Sequence, residues 1–190
     1  MNEIEDFKKE KLVIDIVWAD IFGLLLLIPI VLVFGVPFLF IWKNELLNMQ
    51  DIMKTFIENK IFLKVPVVLI IGIIAHELIH GIVWAIFAKK GFKSIKFGVL
   101  WKMITPYCHC KEPLKVKHYI MGAIAPAIIL GVIPAIVSLF TGNIWLLFGG
   151  MFFTLAACGD FLIINLLRKE KSDDYVKDHP SEVGCFIYRK

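Results

Sequence analysis

The stretch VPVVLIIGIIAHELIHGIVWAIFA, residues 65–88, runs for 24 residues between Lys64 and Lys89 with Glu77 as its one formal charge. About 20 apolar residues in helical conformation cross a bilayer core, so the stretch reads as a membrane span. In its middle stands HELIH, whose two histidines and glutamate are expensive in hydrocarbon unless something stabilises them. Two answers are open: a bound metal, or a hydrogen-bonded polar cluster between helices.

The same length argument extends outward along the chain. Residues 21–42 contain no charge, and the fifty residues between Lys117 and Arg168 contain one, Asp160. Thr141-Gly142-Asn143 is a turn signal that divides this long run in two. Four spans are expected, at about 21–42, 65–88, 119–140 and 144–167, followed by a tail at 168–190. With 58% hydrophobic residues and a mean hydropathy of +0.76, the whole chain 1–190 reads as a single integral membrane domain. Pro29 and Pro37 do not argue against the first span, because membrane helices tolerate proline. Pro126 and Pro134 should distort the third. Its small residues Ala123, Ala127, Gly131 and Ala135 form a stripe against which another helix can pack closely. Trp18, Trp42, Trp84 and Trp145 fall near the expected span ends, as interface anchors do. The first apolar run is too extended for a cleaved signal peptide and is expected to remain as a helix.

Basic residues orient the chain. Placing both termini and the second loop inside puts 17 of the 21 lysines and arginines there, and the excess of positive charge belongs in the cytoplasm. A multi-pass cell-membrane protein with cytoplasmic termini follows. Topology accounts for the net charge of +4, leaving no support for nucleic acid as a partner. The four cysteines lie in a helix or on the cytoplasmic side and indicate no disulfide framework.

Within the second loop Ile95, Phe97, Val99 and Trp101 alternate with Ser94, Lys96 and Gly98, the period of a strand with one buried face. A partner strand at 104–110 would complete a hairpin. The expected fold class is therefore all-α: a four-transmembrane-helix bundle with a small cytoplasmic β-hairpin between the second and third helices. That hairpin either plugs the bundle or pairs with an extended peptide. The second reading makes Ile95, Phe97 and Val99 candidate substrate-binding residues. The tail beyond Arg168 is polar until GCFIYRK, which reads as a short strand or a loose end.

On a helix, positions i and i+4 share a face, so His76 and His80 can aim at one point. Two such histidines with a glutamate in the intervening turn form the zincin arrangement for Zn2+. Zinc would bring the pKa of a water toward about 7, and Glu77 would act as the general base that moves its proton to the departing amine.

AHELIHG, TPYCHCKEPL, AIAPA in the third span, CGDF in the fourth and DHPSEVG near the end resemble the family of bacterial membrane proteins described as "putative zincin peptidases". More distantly, the chain resembles the site-2 protease type of intramembrane zinc metalloprotease. That resemblance implies a third zinc ligand from an aspartate in a later span, matched here by Asp160. Residues 80 and 160 lie at similar depth in the second and fourth spans, which agrees with this assignment. The site-2 pattern has asparagine and proline before its aspartate and glycine after it. Here Ala156-Ala157-Cys158-Gly159 precede and Phe161 follows.

His109, His118 and Glu112 remain alternative third ligands if the loop dips into the bundle. Cys108-His109-Cys110 reads as structural, because neighbours on a strand point to opposite faces. Asp15 and Asp20 read as interfacial charges, and Cys158 as packing. The expected function is an intramembrane zinc metalloprotease acting on a membrane-embedded or membrane-tethered peptide or protein, with the lipid bilayer as its surroundings. The alternative is a metal-binding membrane protein without proteolytic activity, such as an assembly partner or a transporter component. A structural site is normally closed by four protein ligands, whereas two histidines and one aspartate leave a position open.

Overall fold

The structure is a computed structural model that describes residues 7–46, 54, 56–58, 60–101, 105–179 and 184–190. Three of its helices are long and apolar enough to cross a membrane: α1 (Val17–Ile41), α2 (Ile61–Phe87) and α3 (Val116–Thr141). Two shorter helices, α4 (Ile144–Ala156) and α5 (Cys158–Leu167), meet at a 44° bend and make a fourth span if the bent pair crosses as one.

Asp15 caps the start of the first helix by accepting from the Trp18 N–H at 2.9 Å, satisfying one of the donors a helix start leaves over. Between α3 and α4, Gly142 adopts a left-handed φ of +67°. Asn143 then accepts from the Trp145 and Leu146 N–H groups at 2.9 and 3.2 Å. The expected turn thus consists of a glycine C-cap followed by an asparagine N-cap.

The two spans that carry a pair of prolines, α1 and α3, widen at matching places. Val31–Gly35 and Ala127–Val132 are π-helical turns. The Val36 N–H reaches back to the Val31 carbonyl, and the Ile133 N–H to Ile128. Each donor immediately precedes a proline, Pro37 or Pro134. A proline has no N–H and its ring crowds the carbonyl four residues back, so the ladder loosens there. The small-residue stripe of α3 packs as its spacing suggests. A Cβ on Gly150 of α4 would lie 2.5 Å from the Ala135 N, and one on Gly131 would lie 2.4 Å from Thr154 Oγ1.

Two antiparallel sheets accompany the helices. β2 (Ile95–Leu100) and β3 (Thr105–Cys110) form the hairpin, with Ile95 opposite Cys110 and Leu100 opposite Thr105. Ile104, the expected start of the second strand, lies outside the described residues. The other sheet has the order β1-β6-β5-β4, built from β1 (Lys8–Val13), β4 (Leu114–Lys115), β5 (Tyr175–Asp178) and β6 (Gly184–Arg189). Its first and last strands pair from Lys8↔Arg189 to Val13↔Gly184, bringing the described ends of the chain together. This second sheet corrects the all-α expectation: the fold is mostly helical with small antiparallel sheets. β6 is the short strand that GCFIYRK suggested, but local pattern could not reveal its partners, because four of the six β1 residues are charged and β4 has only two residues.

One core joins the sheets to the helices and contains Cys108, Cys110, Leu114, Tyr119, Leu167, Val176, Cys185 and Ile187. Trp84 is part of it at 4% exposure, so it packs internally and is no interface anchor. A second core, formed by Ile30, Phe34, Phe38, Ala135 and Leu147, binds α1, α3 and α4.

Candidate metal centre

His76 and His80 stand one turn apart on α2, and Asp160 stands in the first turn of α5. Their donor atoms all lie within 4.8 Å of one another. The two histidine Nε2 atoms are 3.2 Å apart. Asp160 places Oδ2 at 3.2 Å from His76 Nε2 and Oδ1 at 3.3 Å from His80 Nε2. Two ligands on a tetrahedral zinc lie about 3.3 Å apart when each bond is about 2.0–2.1 Å long. The donor spacing therefore fits zinc.

The tautomer of His80 agrees with that fit. Its Nδ1 lies 2.8 Å from the Gly122 carbonyl, which can only accept, so Nδ1 carries the proton. In the neutral ring Nε2 is then a lone pair, and it faces a carboxylate oxygen. A lone pair and a carboxylate at this distance are reconciled by a shared cation, a proton or a metal ion. A carbonyl that fixes the ring of a ligating histidine is also the usual outer support of a metal site.

Aromatic packing holds His80 from the other side. The Trp84 ring stacks on His80 at 5.1 Å and on Tyr119 at 5.0 Å, and its Nε1 donates to the Tyr119 carbonyl at 3.0 Å. A Cβ on Gly122 would lie 2.1 Å from Trp84 Nε1, so glycine is what lets α3 approach this closely.

The three donors line a cavity of about 220 Å³ together with Glu77, the β3 residues 106–109, Tyr119 and Asp178. The Lys111 N–H bonds the Ser94 carbonyl at 2.8 Å. Given the register, residues 105, 107 and 109 pair with β2, while 106, 108 and 110 turn their backbone to the other edge. On that edge the Cys108 amide points at the Glu77 carboxylate. The Cys110 N–H donates to Asp178 Oδ2 at 2.7 Å, and the Tyr119 hydroxyl donates to Asp178 Oδ1 at 2.5 Å. Burial pushes the Asp178 carboxyl up, with the Tyr119 hydroxyl, His109 and the Cys110 amide acting against it.

The alternative ligands separate. His109 lines the cavity without joining the donor cluster. His118 stacks on Phe87 at 4.1 Å, and Glu112 accepts from the Lys89 N–H at 2.8 Å. Burial raises the Cys110 thiol to about 11 and the Cys185 thiol to about 12, and raises Cys108 further. These thiols stay protonated at neutral pH and pack as apolar groups. Ile95 and Phe97 of β2 lie against Gly81 of α2, and Val99 is exposed. None of the three lines the cavity, which β3 borders instead.

Gly122, Tyr119 and Asp178 escaped the sequence reading. Trp84 was legible in principle, because it follows His80 by four residues on the same face. Asp178 opens the DHPSEVG segment that carries the resemblance, but its own role has no signal in the polar tail. Of the DHPSEVG segment, residues 180–183 lie outside the described residues.

A helix-borne HExxH pair joined by a carboxylate from another helix is a site of the zincin class. Residues 69–175 match the family described as "Putative zincin peptidase". The match covers more than half of the chain, and the chain belongs to this family. Membership implies a zinc metallopeptidase, and His76, His80 and Asp160 could hold the metal. Comparison with curated proteins and with solved structures finds no match.

Proposed function

We propose that this protein is an intramembrane zinc metalloprotease of the site-2 type, hydrolysing membrane-embedded or membrane-tethered peptides. The observation that carries the reading is the convergence of His76, His80 and Asp160 from separate apolar helices at ligand spacing. In this reading α4 and α5 cross as one bent span, giving a four-span bundle in a single domain. Both termini are cytoplasmic, in keeping with the basic loops, and β1 and β6 pair on one side. The hairpin is the peptide-handling element. β3 offers the edge, while on β2 Phe97 and Val99 form the adjoining surface and Ile95 anchors the strand on α2.

His76, His80 and Asp160 would hold zinc, which when bound acidifies a water and polarises the peptide carbonyl. Glu77, next to the first ligand, would hold the proton that the attacking water gives up and hand it to the departing amine. The Cys108 amide faces the Glu77 carboxylate, and both residues line the cavity. Apolar walls from Ala123, Ala156 and Ile163 limit bulk water, which strengthens charge interactions inside.

The test uses purified protein in detergent with a library of membrane peptides. Glu77→Gln should keep zinc and lose at least a hundredfold in cleavage. Equal metal loss in Glu77→Gln and His76→Ala would refute the general-base role. Full zinc binding by wild type without cleavage of any peptide would leave a metal-binding membrane protein.

A further inference from the structure

The cavity that the metal donors line also holds a carboxylate that the proposed chemistry does not use. Asp178 is 9% exposed and lines the same cavity as Glu77 and His80. Its hydrogen-bond partners are the Tyr119 hydroxyl and the Cys110 N–H, and the His109 imidazole, which burial holds toward its neutral form, stands close enough to act on it. Among the described residues no lysine or arginine forms an ion pair with it. A buried carboxylate with two neutral donors is incompletely compensated and favours a cation beside it.

The position of Asp178 on the strand edge says which cation. β3 has one open edge, on which the Cys108 amide faces Glu77 and the Cys110 amide is capped by Asp178. A peptide pairing with that edge can run past Cys108 but meets the Asp178 carboxylate at Cys110. If it pairs antiparallel to β3, its amino-terminal end points toward Cys110. If it pairs parallel, its carboxyl-terminal end does, and a terminal carboxylate there would be repelled. Cys108 and Cys110 are two residues apart, about 6.6 Å along a strand. The cap and its charge therefore suit a chain that ends there in an ammonium group.

Resting on the protease reading above, we propose that Asp178 binds the free α-ammonium of the substrate. The site then reads the amino-terminal end of a peptide paired antiparallel to β3. Cleavage falls about two residues from that end, next to Glu77. Asp178 is thus a specificity-determining residue, and the enzyme trims amino termini where an open edge would accept the middle of a chain.

The experiment compares two forms of one apolar hexapeptide carrying a carboxyl-terminal fluorophore, one with a free amino terminus and one N-acetylated. Cleavage by the zinc-loaded enzyme is followed by mass spectrometry. Binding is followed separately by anisotropy on zinc-loaded Glu77→Gln protein, which reports on Asp178 whether or not the chain is a protease. The free peptide should be cut near its amino end and bind at least tenfold tighter than the acetylated one. Asp178→Asn, made in the Glu77→Gln background, should bring the two affinities to within about twofold with zinc content unchanged. Equal binding of the two peptides to the Asp178-containing protein would overturn the proposal, and that comparison needs no Asp178 variant to fold. A preference that survives Asp178→Asn in folded protein would also overturn it. Absence of cleavage with an intact binding preference would sink the protease reading and leave the ammonium subsite standing.

Discussion

Replacing Gly122 by alanine should loosen the metal centre without touching a ligand. The new Cβ would stand 2.1 Å from Trp84 Nε1 and 2.2 Å from Cδ1. Ordinary contact begins near 3.4 Å, so the neighbours must part by about 1.3 Å. Either α3 retreats from α2, drawing the Gly122 carbonyl away from His80 Nδ1, or the indole swings out. The second course breaks its hydrogen bond to Tyr119 and its stack on His80. Both release the imidazole that must present Nε2 to the metal. Overpacking of this kind costs about 1–3 kcal/mol in stability, and loss of an outer support weakens metal binding by about 10–100-fold. Competition with a chromogenic chelator on detergent-purified protein measures the second quantity directly. Gly149→Ala is the control, since a Cβ there meets nothing within 4 Å. A folded Gly122→Ala protein that binds zinc within twofold of wild type would refute the supporting role of this contact.

Asp160→Ala should lower bound zinc to the level of His80→Ala, measured by metal analysis after dialysis, and full occupancy would move the third ligand elsewhere. Cysteines placed at Lys93 and Lys171 should label from the cytoplasmic side and one at Asn143 from the opposite side, the reverse pattern overturning the orientation. Arg189, which pairs with Glu170 at 2.7 Å, holds the Glu170 carboxyl below its usual value of 4.5. The pair's stabilisation is therefore present above pH 4.5 and lost as pH falls through the lowered value. Arg189→Gln should cost about 0.5–1 kcal/mol at pH 7, and the difference from wild type in thermal unfolding should shrink as Glu170 is protonated. An equal difference at pH 3 would assign the effect to lost packing of the arginine stem.

Periodicity made HELIH legible, because a four-residue spacing on a helix has one geometric meaning and the surrounding apolar run leaves little else for two histidines to do. Asp160 was legible as the sole charge in fifty residues, at a depth matching His80. The bend beside it was not, since Ala156-Ala157-Cys158 contains neither proline nor glycine to mark it. The hairpin could be read from alternation, but not which of its strands borders the cavity. That depends on how Gly81 lets Ile95 and Phe97 sit on α2, a contact between separate elements. The four-stranded sheet was hidden for a similar reason. Lys8 and Arg189 pair across nearly the whole chain, and β1 shows no hydrophobic face of its own. Asp178 reaches the cavity only because β5 enters that sheet.

The motif helix is held at one end. Val67, Val68, Ile70, Ile71 and Ile74 are each more than half exposed, so the first part of α2 has lipid as its natural neighbour. From Gly72 onward the contacts accumulate: Phe153 on Gly72, β2 on Gly81, and α3 on Trp84. The metal donors thus sit where apolar helices meet two small sheets. This location answers a difficulty that a strand edge poses beside a membrane. Backbone N–H groups left open in hydrocarbon cost several kcal/mol each, yet a peptide can pair only with groups that are free to exchange partners. Glu77 and Asp178 ease the conflict by giving the Cys108 and Cys110 amides side-chain acceptors in place of a neighbouring strand. The two carboxylates that satisfy the edge also line the cavity that the metal donors border, and on the proposed reading a peptide lies there with one at the reacting bond and the other at its end.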